Sequence, residues 1–440
     1  MQTVQLNKEI KELNSKEVAK KLSTLEGVSS SKGRKRVRAA KQSEISSDAP
    51  TQTTRELLRI VRASQPIPRV AVARRLGVHR RRITVLVKPL IDAGVLREGT
   101  PDPTLVRRVG RPPIGLSFRN ESEFLIGINI GVSQTRVGAA TVDGVTLSDE
   151  SFATPPDATA ALKEVGASIE RQRARFPERE LKVIGISVAG PTDAARRMLL
   201  CAPHLGWRDL PVAEVLSFPN PDTMILVENN ATAAAVYEAQ RRRRISRSAG
   251  DFVLVRAGTG IGVGLVLGGE VYRGAAKADI AGEFGHMTIV AGGKACPCGN
   301  FGCWERYASA SSAVALYVGD SPRSSFRSSL RFTEIVARAA AGERRARTTL
   351  ERVGMHLGIG IGNVISGLGV PSVVLSGELV HGWQFIEGSA RAAIAMSLGG
   401  RLSQWSLEPG ESHGAELGGA VEVAIEHYLL TIVDGQSEAA

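Results

Sequence analysis

Apolar positions divide the chain into three textures. Residues 1–50 are polar, with little periodicity beyond Ile10, Leu13, Val18 and Leu22, and Gly33 to Arg38 is strongly basic. Such a segment buries too little apolar surface to order itself and is expected to be a disordered tail or loose helix. Residues 51–120 carry a helical period. Leu57, Leu58 and Val61 mark one helix from Arg55 to Ala63, and Ile67-Pro68 ends it. Val72, Ala73 and Leu76 mark a short second helix, Arg69–Leu76. After Gly77-Val78, a third helix starts near His79 and places Ile83, Leu86, Val87 and Leu90 on one face. Two short helices joined by a glycine-containing turn form the helix-turn-helix pattern. Val95–Glu98 and Pro113–Phe118, joined by a Gly/Pro/Asp-rich connection, read as a two-stranded wing. Pro89 removes a helix hydrogen bond, so a kink is expected there.

From residue 122 to about 435 the pattern becomes α/β. Phe124–Ile128, Val183–Val188, Met224–Val227, Phe252–Val255 and Val373–Leu375 read as strands, many separated by helical stretches. Two glycine-turned hairpins, Gly127–Gly138 and Arg256–Leu267, look like a duplicated opening. Arg241–Arg244 is expected to be a solvated loop between a helix and a strand.

Charge sharpens this division. The chain of 440 residues has a net charge of +12, of which 1–50 contribute +5 and 51–120 contribute +11, so the remainder is acidic. Positive charge confined to one module implies a polyanionic partner for it, most simply DNA. Arg80, Arg81 and Arg82 open the third helix, where a recognition helix meets base edges, and Thr84 and Lys88 follow one to two turns on. Each of these arginines could instead hold a backbone phosphate. Arg111, within Gly110-Arg111-Pro112 of the wing, is placed to enter a narrow minor groove. No apolar run approaches the ~20 residues that span a bilayer, and the N-terminus shows no apolar signal region. With four cysteines and no disulfide framework, a cytoplasmic location is expected.

The densest chemistry lies between Glu283 and Glu305. His286, Cys296, Cys298 and Cys303 fall within eighteen residues, and four N/S donors suit a closed, tetrahedral structural zinc site. Glu283 and Glu305 bracket the cluster without being needed by it. A zinc-stiffened loop could therefore present two carboxylates to a polyhydroxy ligand. Glu283, Gly285 and His286, followed by Cys296, Cys298, Gly299, Gly302, Cys303 and Glu305, resemble the signature of the ROK family, a bacterial group of sugar kinases and sugar-responsive repressors. The resemblance implies a two-lobed, actin-like ATPase fold of ribonuclease-H-like halves over 122–435, with zinc loop 286–303, behind a winged helix-turn-helix over 51–120. It also implies sugar contacts from Asn229, Glu283, His286 and Glu305, with His286 serving both zinc and ligand. Val188–Asp193 matches the family's glycine-proline sugar loop. His204-Leu205-Gly206-Trp207 is similar to its Asn-Leu-Gly-Trp, with His for Asn.

The chain departs from the kinase pattern in one direction. Where the kinases carry the base aspartate, it has Asn230. An amide hydrogen-bonds a hydroxyl but takes no proton near neutrality, and losing a positioned base costs typically 10²–10⁴-fold. The first phosphate loop, Asp-x-Gly-Gly-Thr-Lys in the kinases, here has Asn129, Val132 and Gln134. The second, Gly258–Gly262, is intact; the third reads Ser376-Gly377-Glu378. The resulting expectation is a non-enzymatic, sugar-responsive DNA-binding regulator. It would be a repressor of carbohydrate-metabolism genes, answering to a sugar or sugar phosphate on a DNA operator as a homodimer or homotetramer. The alternative is an ATP-dependent hexose kinase, glucokinase-like, with a DNA-binding arm.

Overall fold

The computed structural model describes residues 49–99, 114–216, 223–246, 249–274, 278–279, 281–319 and 330–438. The basic tail and the wing segment with Arg107, Arg108 and Arg111 lie outside them. The chain divides into two compact units, 1–54 and 55–440. Of the first, only residues 49–54, the opening of a helix, are described.

The basic module is built from α1 (Ala49–Ser64), β1 (Ile67–Pro68), α2 (Arg69–Leu76), α3 (Arg80–Asp92), β2 (Leu96–Gly99) and β3 (Gly115–Phe118). Leu57, Leu58, Val61, Val72, Ile83, Val87 and Leu90 are fully buried, so the helical period sets the inward faces. One expectation needs correction. The wing sheet has three strands, in the order β1-β3-β2, because the extended Ile67-Pro68 that ends α1 pairs with Leu116 and Gly115. Helix α3 has Pro89 inside it and ends at Asp92. The carbonyl that Pro89 leaves without its helical partner is that of Val85, an exposed position open to solvent.

Beyond residue 122, two sheets share one topology. In the first, β4 (Glu123–Ile130), β5 (Gln134–Ala140) and β6 (Thr146–Ala153) form an antiparallel meander, and β7 (Glu180–Val188) and β11 (Met224–Asn229) add in parallel beside β4. In the second, β12 (Phe252–Ala257), β13 (Ile261–Leu267) and β14 (Glu270–Tyr272) form the meander, and β16 (Ser372–Ser376) and β17 (Ser406–Pro409) add in parallel beside β12. The duplicated glycine-turned hairpins are thus the first turns of two equivalent lobes. A small sheet of β8 (Thr192–Asp193), β9 (Leu199–Ala202), β10 (Trp207–Leu210) and β15 (Ala278–Asp279) joins segments from both halves.

Helix α4 (Ala158–Arg175) covers the first sheet. Helices α6 (Ala310–Val318), α7 (Phe332–Ala340), α8 (Arg344–Leu368) and α9 (Trp383–Met396) build the core of the second lobe. Helices α5 (Asn230–Ser246) and α10 (Ala415–Glu438) pack on each other, α10 against the first sheet and α5 against the second. Their approach is close: a Cβ at Gly419 would lie 2.1 Å from the Ala233 carbonyl oxygen. Among the helices of the described residues, none is long and apolar enough to cross a membrane.

The four-arginine run is not a loop; it occupies the last turns of α5. Arg241 and Arg242 both bond Glu238, a nearly buried carboxylate one turn earlier, and Arg242 also lies 4.3 Å over the Phe252 ring. Arg243 donates to the Gly269 carbonyl at 2.6 Å. Cations at a helix C-terminus also complement its dipole, and only Arg244 of the four is exposed.

Candidate metal centre and polyol cleft

Glu283, His286 and Glu305 lie on two short turns of the second lobe, with the three cysteines on the segment between them. Glu283–His286 is a single 3₁₀ turn behind Gly282, and Glu305 opens a helical turn, Glu305–Ala308. The first turn lies directly against β13, and only glycine permits it: a Cβ at Gly285 would sit 1.9 Å from the Ile261 carbonyl oxygen. The second is anchored by Trp304, fully buried, whose backbone N–H donates to Met287 O and whose indole N–H donates to His356 O on α8, both at 2.9 Å. Trp304 was not singled out in the sequence, although its place inside the cysteine motif was a signal.

His286, Cys296, Cys298 and Cys303 converge, with their ligand atoms all within 4.8 Å of one another. Cys298 Sγ and Cys303 Sγ are 3.8 Å apart, the edge of about 3.8 Å that metal–sulfur bonds of about 2.3 Å give a tetrahedron. His286 turns Nδ1 toward Cys296 Sγ at 3.7 Å and Nε2 toward Glu283 at 3.8 Å. One ring nitrogen thus faces the sulfur cluster and the other the acidic side. The donor set fits a tetrahedral, thiophilic divalent ion.

Beside the cluster, Glu283 and Glu305 share one end of the cleft. Glu305 is nearly buried, with Oε2 3.4 Å from His204 Nε2 and Oε1 3.1 Å from Cys296 Sγ. Burial works to raise its pKa, but hydrogen bonds from His204 and Cys296, and the nearby His204 and His286, hold Glu305 below the usual carboxylate range. Glu283 goes the other way: burial and the neighbouring Glu305 push it up, against the pull of His286. Asn229 ends β11 and caps α5. Its Oδ1 accepts from Ala231 N at 2.8 Å, and its Nδ2 donates to Gly190 O of the sugar loop at 3.1 Å. That leaves one Nδ2 proton for a ligand. Asn230, nearly buried, is the first residue of α5 and has its Oδ1 beside Gly262. Behind both asparagines, the fully buried Glu228 is held by Arg273 at 2.8 Å and Arg196 at 3.5 Å.

The positions that the resemblance assigns to phosphate are differently furnished. Asn129 Oδ1 accepts from Ser187 Oγ at 3.3 Å. In the second phosphate loop Gly258 N–H donates to Gly260 O, and the Arg256 guanidinium lies against Gly258 while bonding Glu416 at the start of α10. Glu378 opens a 3₁₀ turn after β16.

A family model described as the ROK family matches residues 125–426. The chain belongs to the ROK family. The xylose repressor of Bacillus spizizenii is 24% identical over 378 residues, covering 85% of this chain and 94% of that protein. A crystal structure described as a ROK family transcriptional regulator, homologous to the Escherichia coli MLC protein, superposes with a TM-score of 0.70 at 23% identity, over 88% of this chain and all of that one. A ROK family glucokinase from Streptomyces griseus, in complex with glucose and AMPPNP, gives a TM-score of 0.56 at 25% identity, over 68% of this chain and 99% of that one. The fold is therefore the two-lobed, actin-like one.

In that module Arg81, Thr84, Val85 and Lys88 form the exposed face of α3 opposite Ile83, Val87 and Leu90. Arg80 and Arg82 flank it, also exposed. Lys88 pairs with Asp92, one turn on. Val85, which was not among the sequence candidates, is 69% exposed on this face. The module is tied to the lobes by charge. Arg62 and Glu422 of α10 make a buried bidentate pair, one bond 2.8 Å long. Arg59 bonds Glu270 of β14 and lies 3.6 Å from Glu426 of α10. Burial opposes its charge, yet these carboxylates raise Arg59 above its ordinary pKa. Arg243, with burial and Arg59 both against its charge, is lowered.

Proposed function

We propose that the chain is a sugar-responsive transcriptional regulator, a repressor of carbohydrate genes, whose kinase-like lobes sense rather than phosphorylate. One observation carries this. A winged helix with an arginine-rich exposed face is fastened by Arg59 and Arg62 to both β14 and α10 of a cleft that keeps its polyol end. The module, over 51–120, takes operator DNA with Arg80, Arg81, Arg82, Thr84 and Lys88, and with Arg111 of the wing. Arginine reads guanine bidentately and Val85 suits a thymine methyl. The lobes, over 122–435, take an uncharged or phosphorylated sugar on Asn229, Asn230, Glu283, His286 and Glu305. His286, Cys296, Cys298 and Cys303 hold zinc, which when bound stiffens the turn carrying Glu283.

Ligand in the cleft shifts the lobes only by its differential affinity for their open and closed arrangements. Helix α10 packs on the first sheet, while Glu270 belongs to the second, so a lobe movement redistributes Arg59 between Glu270 and Glu426. The buried Arg62–Glu422 pair keeps α1 on α10 meanwhile, since breaking such a pair costs roughly 3–5 kcal/mol. In a homodimer this changes the spacing of two recognition helices.

The kinase reading has the polyol end in its favour. Against it stand Asn230 at the base position and Arg256 against the second phosphate loop. The deciding experiment selects genomic fragments with the full chain, then competes the winning fragment with a sugar panel at fixed salt. Specific binding altered by one sugar is the expected result. ATP-dependent phosphorylation of any sugar in the panel would replace this reading with the kinase.

A further inference from the structure

Beside Glu305 stands a polar side chain that has been given no role toward a ligand above. His204 lies in the turn between β9 and β10, and its Nε2 stands 3.4 Å from Glu305 Oε2. Three separate elements meet at this point: the first-lobe turn, the helical turn after the cysteine motif, and the second glycine loop. A Cβ at Gly260 would lie 2.4 Å from Glu305 Oε2 and 2.9 Å from His204 Nε2, so glycine there is what lets the two groups meet. The two oxygens of Glu305 are not equivalent. Oε1 faces the metal cluster, with Cys296 Sγ at 3.1 Å and His286 Nδ1 at 3.9 Å. Oε2 is thus the oxygen available to a ligand, and His204 stands on it.

A hydroxyl both donates and accepts. A ligand hydroxyl at this point can donate to Glu305 Oε2 and accept from His204 Nε2, which bridges the gap now closed by the direct contact. A ligand without a hydroxyl there leaves the pair in place, and one with a bulkier group meets the imidazole ring. Resting on the sugar-sensor reading, we infer that His204 is a specificity-determining residue: it selects sugars that present one free hydroxyl between Glu305 and the imidazole.

The test uses the full, zinc-loaded chain with His204→Asn and His204→Gln variants. Each is titrated calorimetrically with a panel of pentoses, hexoses and N-acetylated hexosamines, each free and as its phosphate. The expected result is a changed ranking: the ratio of affinities between the best wild-type sugar and another member of the panel shifts by about tenfold or more. Zinc content and thermal midpoint stay at wild-type values in at least one variant. Unchanged affinities in both variants, or a uniform loss that preserves the ranking, would overturn the assignment of His204 and leave the sugar-sensor reading standing. A wild-type chain that binds no sugar of the panel would overturn both.

Discussion

The acidic turns beside the metal donors and the two glycine hairpins of the equivalent sheets have been furnished in opposite ways. At the polyol end, His204, Glu283, His286 and Glu305 converge from both lobes and retain hydrogen-bonding capacity. At the nucleotide end, Asn129 is bonded to Ser187, Gly258 N–H is turned onto Gly260, and Arg256 with Glu416 ties β12 to α10. On the sensor reading, the first set serves a ligand while the second is engaged in contacts within the protein. Recognition and catalysis are thus separable on this fold, because binding needs donors and acceptors while phosphoryl transfer also needs a base and an organised metal–phosphate complex.

The sharpest way to break the contrast is at the metal. Cys298→Ser should lose stoichiometric zinc and roughly 3 kcal/mol or more of stability, since metal affinity at such a site is folding free energy. Elemental analysis with thermal unfolding checks it, and a fully loaded, equally stable variant would remove Cys298 from the ligand set. Next, Glu283→Ala should weaken effector binding about 10–100-fold, the worth of one or two hydrogen bonds to a charged group. DNA affinity without sugar should be unchanged, which a mobility-shift titration reads. An equal fall in DNA affinity would show that the polyol end supports the module structurally.

At the other end the effects should be smaller. Arg256 holds Glu416 below the usual carboxylate range although burial works to raise it. A carboxylate with a depressed pKa in the fold stabilises above its unfolded value, and that contribution fades as pH falls through the folded value. The stability gap between wild type and Glu416→Gln should therefore be full at pH 7 and shrink below about pH 4. A gap independent of pH would mean the ion pair does not tie the loop to α10. Smallest of all should be Asn230→Asp. Restoring the carboxylate alone should yield no ATP-dependent sugar phosphorylation, because Asn129, Val132, Gln134 and Arg256 remain. Turnover in this variant would show that the nucleotide end is intact.

Much of the fold was legible in the chain. Apolar period marked α1 to α3 and the central strands of both sheets. Glycine spacing marked the paired hairpins, and the Cys/His motif marked the donor cluster. What misled were residues whose fate depends on a distant partner. Arg241–Arg244 reads as a soluble run until Glu238 and Phe252 take up its charge, and Ile67-Pro68 reads as a helix stop until Leu116 gives it a strand to join. Asn229 reads as a ligand group, yet most of its amide serves the cap of α5 and the carbonyl of Gly190.

By itself the sequence determined the identity of the donors, the asparagine at position 230 and the concentration of positive charge in the N-terminal quarter. These are properties of residue type and short spacing, which survive in an unfolded chain. Only the tertiary structure decided that His204 stands on Glu305, that Arg256 meets Glu416, and that Arg59 and Arg62 bind carboxylates more than two hundred positions away. Those pairings arise from packing two lobes and α10 together. No local pattern encodes them, because each partner is chosen by where the backbone brings it.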